Sequence, residues 1–106
     1  MNSYNKYTDL QINELVATRL KKKCLLTEES VLAYMNSGYR TFDPCNNPSD
    51  AMPIIIENEI SMIKSSGGWM CCHGSVGQVE RESLYRGAME LFLMMKDAEN
   101  ENNNNG

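Results

Sequence analysis

The sequence lacks any apolar run long enough to cross a membrane, since a spanning helix needs about 18 or more mainly apolar residues. It also lacks an excess of positive charge: 14 acidic residues outnumber 10 basic ones, and the net charge is −4. A mildly acidic chain is a poor match for a surface whose main ligand is nucleic-acid phosphate. The first residues show no secretion-signal pattern, so the expected environment is a cytoplasm.

Residues suited to catalysis or metal binding are also scarce. His73 is the single histidine. Cys71 and His73 would share one face of a strand, but a closed zinc site needs about four ligands, and no cysteine spacing supports the others. A nucleophilic pair of Cys45 and His73 has no visible third group to orient it. The glycines form no phosphate-binding pattern. The sequence therefore predicts no catalytic residues, no metal site and no cofactor, and free thiols in a reducing compartment.

The most distinctive stretch that is present is FDPCNNPSDAMPIIIENEIS, residues 42–61. Asn47 followed by proline is typical of a helix cap with proline at the first helical position. In that case Pro53 falls inside the helix and removes a hydrogen bond. If Asp50 is the cap instead, Pro53 falls at the third helical position and costs nothing. Asn58 is expected to end this helix in a left-handed conformation.

Two further helices are expected on either side of this stretch. Thr8 and Gln11 form a capping box at the start of the first helix. Ser83 precedes the last helix, which carries one apolar stripe: Leu84, Ala88, Leu91, Phe92 and Met95. Met89 and Leu93 form a second stripe. A helix that is apolar on two sides is either deeply buried or shared with another subunit. We expect Met89 and Leu93 to form a homodimer or partner interface.

Strand signals are weaker than helix signals. Residues 24–39 are expected to form a loop followed by one strand at 39–42, although 31–35 also fits a strand. Ser65-Ser66-Gly67-Gly68 predicts a β-hairpin between 60–64 and 69–73. Residues 74–82 are expected to be a loop. The predicted fold is α+β, with three helices packed on a small antiparallel sheet in the order α-β-α-β-β-α. Residues 1–98 form one domain, and the asparagine-rich residues 99–106 form a disordered tail.

The polar residues near the central helix admit two interpretations. The cluster is Asp43, Asn46, Asn47 and Asp50. Asparagine and aspartate commonly satisfy backbone donors in turns and at helix caps, which makes the cluster architectural. Alternatively, the same groups beside the aromatic rings of Phe42 and Trp69 would suit a small ligand or the anchor residue of a partner. A phosphate-bearing ligand would need cations, and the candidates are Lys21, Lys22, Lys23, Arg40 and Arg86.

The central stretch and two flanking segments, YTDLQINELVA and RGAMELFLMM, resemble the NinX-like family, small proteins encoded by lambdoid phages and prophages. The family usually has tryptophan before the proline that stands at position 53, where this chain has Met52. The family has no assigned activity, so the resemblance implies a phage accessory protein in the host bacterial cytoplasm and no particular reaction.

Together these observations favour a non-catalytic phage protein that binds and modulates a bacterial target, as an inhibitor of antiviral defence. It would block a defence protein or sequester a small signalling nucleotide, and the acidic charge favours a protein with a basic face. The alternative is a nucleic-acid-binding accessory protein of phage recombination or expression that uses Lys21–Lys23, which the net charge disfavours. A small hydrolase is a third class, and its activity would depend on Cys45 or His73.

Overall fold

Three helices alternate along the chain with two three-stranded antiparallel sheets. The computed structural model describes residues 4–104, and the side chains of residues 4–101. A 3₁₀ turn (Tyr4–Lys6) precedes helices α1 (Asp9–Arg19), α2 (Pro48–Glu57) and α3 (Leu84–Asn104). The first sheet contains β1 (Cys24–Leu26), β2 (Val31–Met35) and β3 (Gly38–Thr41), and the second contains β4 (Ser61–Ser65), β5 (Gly68–His73) and β6 (Gly77–Arg81). The α+β class is confirmed. The single sheet and its order are wrong, because the observed order is α-β-β-β-α-β-β-β-α.

The additional strands are elements with little sequence pattern of their own. Residues 24–39, expected to be mostly loop, contain β1 and β2, and residues 74–82, also expected to be a loop, contain β6. β1 has three residues, and β6 has a single buried residue, Val79. β1 is too short for alternation to be recognised, and one buried position in β6 gives no alternating pattern. β1 and β6 form because β2 and β5 of the neighbouring hairpins would otherwise be edge strands with unpaired backbone hydrogen-bonding groups. β2, the alternative strand, is the central strand of the first sheet.

The predicted helix starts are confirmed, but one predicted helix end is wrong. Thr8 N donates to Gln11 Oε1 at 2.8 Å, and Gln11 N donates to Thr8 Oγ1 at 3.1 Å, which completes the capping box. Asn47 caps α2, so Asp50 is not the cap. Asn58 has φ −95° and is not left-handed. The left-handed residue is Glu59, with φ 56°, because the Asn58 side chain instead donates to the carbonyl of Ile54.

Helix α3 forms the centre of the molecule. It packs against both other helices and against β5 and β6. Ala88–Leu93 are completely buried on every side of the helix. Met89 and Leu93 are therefore buried by their own chain and are not available to an interface, contrary to expectation. The second stripe exists because a sheet and two helices surround α3, and not because another subunit covers it.

The last helix also extends further than expected. α3 continues through residues 99–104, where the sequence predicts a disordered tail, and residues 105–106 lie outside the described part of the chain. A helix that is already nucleated adds residues at low cost, since each further residue gains one backbone hydrogen bond. No helix in the described part of the chain is long and apolar enough to span a membrane.

β5 approaches β6 closely at Gly68, and this contact gives a testable prediction. A Cβ atom added at Gly68 would lie 2.8 Å from Glu82 Cα and closer still to the carbonyl oxygen of Arg81. Both are backbone atoms, so Gly68→Ala must move a strand. We expect it to cost about 1–3 kcal/mol, the usual range for overpacking. Gly67→Ala is the matched control, because no atom lies within 4 Å of its added Cβ. Thermal melts of both variants provide the test, and equal melting temperatures would contradict the observed strand contact.

Candidate functional site

The loop 42–47, between β3 and α2, lies between two cavities. Phe42 N donates to the carbonyl of Val31 at 2.8 Å, and the Phe42 ring is 3% exposed. Residues of the first cavity, of about 150 Å³, are Asp9, Leu10, Asn13, Glu29, Ser30, Val31, Thr41, Phe42, Asp43 and Asn46. Residues of the second cavity, of about 420 Å³, are Leu20, Lys22, Met35, Phe42, Ser49, Asp50, Pro53, Ile54 and Glu57. Phe42 belongs to both linings, so its ring is a wall between the two cavities.

Helix α1 holds the loop through a buried asparagine. Asn13 Nδ2 donates to Asp43 Oδ1 at 2.7 Å, and Asn13 Oδ1 accepts from Cys45 N at 3.1 Å. Asn13 is 5% exposed, so both of its polar atoms must be satisfied within the protein. Asn46 Nδ2 donates to Asp43 Oδ1 at 3.1 Å and to Asp9 Oδ2 at 3.2 Å. The loop is therefore rigid on its inner side, while Asn46 is exposed on its outer side.

The first cavity is acidic. Asp9, Glu29 and Asp43 line it, and none of its described lining residues is basic. Arg86 approaches Asp9 from outside this lining, with Nη1 2.8 Å from Asp9 Oδ1. The amide groups of Asn13 and Asn46 hold Asp43, and these neutral donors orient a carboxylate without cancelling its charge. The cavity therefore offers negative charge above an apolar wall formed by Val31 and Phe42.

The second cavity is more apolar, with mixed charges around it. Lys22 Nζ lies 5.4 Å from the centre of the Phe42 ring, a cation–π distance. Glu57 and Asp50 supply opposite charges in the same lining. Pro53 has no N–H, so the Ser49 carbonyl loses its usual helical donor, and both residues line this cavity.

Most of the predicted polar cluster is architectural, as the first interpretation held. Asn47 Oδ1 accepts from Ser49 N at 2.9 Å, which caps α2. Asp50 Oδ2 accepts from Asp43 N at 2.9 Å, which ties the helix to the loop. Asn46 is the exposed member of the cluster whose side chain lines the first cavity without capping a helix. These residues are brought together, as expected.

Trp69 and Arg40 do not join them. Trp69 lies in β5 of the second sheet, opposite Arg81, with Lys64 Nζ 5.7 Å from its ring centre. Trp69 lines neither cavity beside Phe42. Arg40 is exposed on β3 and is paired with the buried Ala33. The tryptophan wall that the sequence suggested is absent from these linings, because Phe42 lies in the loop after the first sheet, whereas Trp69 lies in the second sheet.

Arg86 is fixed within the protein and is not available to a phosphate-bearing ligand. Its Nε donates to Glu90 Oε2 at 2.7 Å, Nη1 to Asp9, and Nη2 to the carbonyls of Tyr4 and Tyr7 at 2.9 and 2.6 Å. Burial lowers the pKa of Arg86, but the bonds to Asp9 and Glu90 outweigh burial and raise it overall. Arg86 therefore stays cationic and holds the N-terminal segment against α3.

Sequence reasoning missed the residues that α1 and the β1–β2 turn contribute to the first cavity: Asp9, Leu10, Asn13, Glu29 and Ser30. One signal was present. Asp9 and Asn13 are four residues apart on α1 and so share a face, and Asn13 follows the buried Ile12. A polar residue beside an apolar stripe indicates a buried hydrogen bond, but its partner, 30 residues away, could not be read from that pattern.

The buried thiols of Cys45 and Cys71 are poorly placed for nucleophilic chemistry. Burial raises the pKa of Cys45 far above its usual value, and burial also raises the pKa of Cys71 to about 11. A thiol that remains protonated is a weak nucleophile. His73 Nδ1 lies 2.8 Å from Ser75 Oγ. No group of three or more histidine, cysteine, aspartate or glutamate residues in the described part of the chain could hold a metal ion.

Comparison with known proteins gives no further guide. The chain matches no family model, no curated protein and no solved structure.

Proposed function

We propose that the protein is a non-catalytic phage accessory protein that binds a bacterial protein through the first cavity and thereby inhibits an antiviral defence. The observation that carries the binding mode is the acidic cavity beside Phe42, with Asn46 exposed next to it. The phage origin, the host cytoplasm and the defence role rest on the resemblance to the NinX-like family.

The cavity suits one basic side chain of a partner. Its volume is about 150 Å³, and an engineered cavity of about that volume holds one benzene-sized molecule. An Arg or Lys side chain has an apolar stem and a cationic end. The stem would contact Phe42 and Val31, and the cationic end would meet Asp43 and Glu29. Such an anchor in a small pocket is a common source of binding energy in protein interfaces.

A sequestered nucleotide is less well supported. The first cavity would repel phosphate, because three carboxylates line it. Of the proposed cations, Arg86 is bound to Asp9, Glu90 and two carbonyls. Lys22 lies at the second cavity, where Asp50 and Glu57 also lie. The local charge therefore favours a protein partner with a basic face.

The test is a charge reversal in the cavity lining that leaves the hydrogen bonds among Asn13, Asp43 and Asn46 intact. Glu29 is exposed and lines the cavity, whereas its neighbour Glu28 is exposed and does not line it. Glu29→Lys and Glu28→Lys change the net charge equally. With the partner first recovered from infected host lysate, we expect Glu29→Lys to weaken its binding at least about tenfold, or 1.4 kcal/mol. Glu28→Lys should bind nearly normally.

Asn46→Ala is the second probe, because Asn46 is exposed and does not cap α2. We expect weaker partner binding with a stability change within about 1 kcal/mol. Equal binding by all three variants would remove the cavity from the interface. Recovery of a nucleotide in place of a protein would favour the sequestration alternative.

A further inference from the structure

The outer face of the first sheet carries a cation beside two paired tyrosines. Val31 and Ala33 are buried, so Tyr34 on the same strand points to the opposite side. Tyr34 lies directly opposite Tyr39, with ring centres 5.3 Å apart and ring planes at 75°. Tyr34 N donates to the carbonyl of Lys23 at 2.9 Å, and Lys23 Nζ is 5.9 Å from the Tyr34 ring centre. Lys23, Tyr34 and Tyr39 are called the tyrosine row below.

The tyrosine row is not part of the core. Tyr34 is 49% exposed and Tyr39 is 37% exposed. Leu25, in the next cross-strand row of the same face, is 50% exposed. A cross-strand aromatic pair stabilises a sheet by about 0.2–1 kcal/mol, which accounts for the contact between the rings. It does not account for a lysine alongside them on an uncovered face.

The charge near the tyrosine row differs from that of the whole chain. Lys21 and Lys23 follow α1 at this end of the sheet, whereas Lys22 reaches toward Phe42 and the second cavity. Glu28 and Glu29 lie in the β1–β2 turn, at the other end of β2. Val31 and Tyr34 are three strand residues apart, or about 10 Å. This separation is close to the screening distance of about 8 Å at physiological salt, so the acidic turn weakens the local positive charge only partly.

We propose that the tyrosine row binds single-stranded nucleic acid. Bases would stack on Tyr34 and Tyr39, and Lys23 and Lys21 would contact phosphates. Proteins that bind single strands without sequence preference combine these two features, because every base has a face that can stack. A protein partner would suit the two tyrosines, which are enriched at protein interfaces, but not the lysine beside them, which is depleted there. This site is independent of the proposed function, because the first cavity lies on the side of the sheet that carries Val31 and Phe42.

The test is fluorescence anisotropy with a labelled single-stranded oligopyrimidine DNA of about 12 nucleotides, within the range one small domain covers. We expect binding that weakens as salt rises. Tyr34→Ala should lower the affinity at least about fivefold, the effect of losing one stacked base, whereas Tyr34→Phe should retain it. Lys23→Gln should reduce the slope of log affinity against log salt by about 0.7.

Matched controls lie elsewhere on the surface. Ile63 is 48% exposed on the second sheet, and Lys6 is exposed near the N-terminus. Ile63→Ala and Lys6→Gln should bind like the unmodified protein. Thermal melts confirm that each variant is folded.

The proposal is overturned if the unmodified protein does not bind at low salt, if Tyr34→Ala binds normally, or if duplex DNA of the same length binds as tightly. A dimer in light scattering that Tyr34→Ala converts to a monomer would also overturn it.

Discussion

Replacing Leu93 with lysine should leave the protein largely unfolded at room temperature. Leu93 is completely buried, as are all residues from Ala88 to Leu93. The substitution loses leucine packing, worth about 2–5 kcal/mol when the side chain is truncated. It also buries an ammonium group, at several kcal/mol more. Together these costs approach the 5–15 kcal/mol that a domain has in total. Circular dichroism and a thermal melt measure the outcome.

The neighbouring Met94→Lys is the matched control, because Met94 is only partly buried and remains within reach of water. This variant should fold and melt cooperatively. A folded Leu93→Lys protein with an unchanged melting temperature would contradict the observed burial. If that protein also had half the mass of the unmodified protein in light scattering, the interface interpretation of Met89 and Leu93 would be restored.

The Leu93 case shows where sequence reasoning reached its limit. Periodicity correctly identified α3 and its two apolar stripes. It could not distinguish a helix surrounded by its own chain from one shared by two chains, because both require apolar residues on two sides. Which of the two cases applies depends on the second sheet, and in particular on β6. β6 has one buried residue, which is too little for the sequence to indicate a strand. A strand that forms because a neighbouring strand has unpaired backbone groups need not show an alternating hydrophobic pattern in its own sequence.

In the candidate site too, some features could be predicted from the sequence and others could not. Local chemistry was predictable, because Asn47 caps α2 as the Asn-Pro pair indicates. Long-range contacts were not. Asn13 reaches Asp43 across 30 positions, and Arg86 reaches Asp9 across 77. A single sequence contains the donor and acceptor types but not the distance between them, which the packing of α1 against α3 determines.

Replacing Glu90 with alanine should produce the second large effect. Glu90 is completely buried and accepts from Arg81 Nε and Nη2 at 3.0 and 2.8 Å, and from Arg86 Nε at 2.7 Å. Removing one member of a buried ion network typically costs about 3–5 kcal/mol. We expect the lower end of that range, because Arg86 keeps Asp9 and two carbonyls and the Arg81 side chain is 31% exposed. For a domain of this size, the melting temperature should fall by at least about 12 °C.

Glu90→Gln should be intermediate, since it keeps one acceptor oxygen and the side-chain shape but loses the charge. Glu99→Gln is the control on the same helix. It breaks an exposed pair with Lys96 at 3.3 Å, and exposed pairs contribute about 0–1 kcal/mol. Melting temperatures should fall in the order Glu99→Gln, Glu90→Gln, Glu90→Ala. If Glu90→Ala melts like Glu99→Gln, the two arginines find other partners and the network does not stabilise the fold.

Loss of Glu90 should also affect the first cavity at temperatures where the variant is still folded. Arg86 bonds Glu90, Asp9 and the carbonyls of Tyr4 and Tyr7, so Glu90 helps to hold the guanidinium that fixes the N-terminal segment. Without it, residues 4–9 should exchange backbone hydrogens faster while the centre of α3 remains protected. Asp9 would then be less well positioned against Asn46, and partner binding should weaken without any substitution in the cavity. Unchanged exchange at residues 4–9, together with a lowered melting temperature, would show that Glu90 supports the core alone.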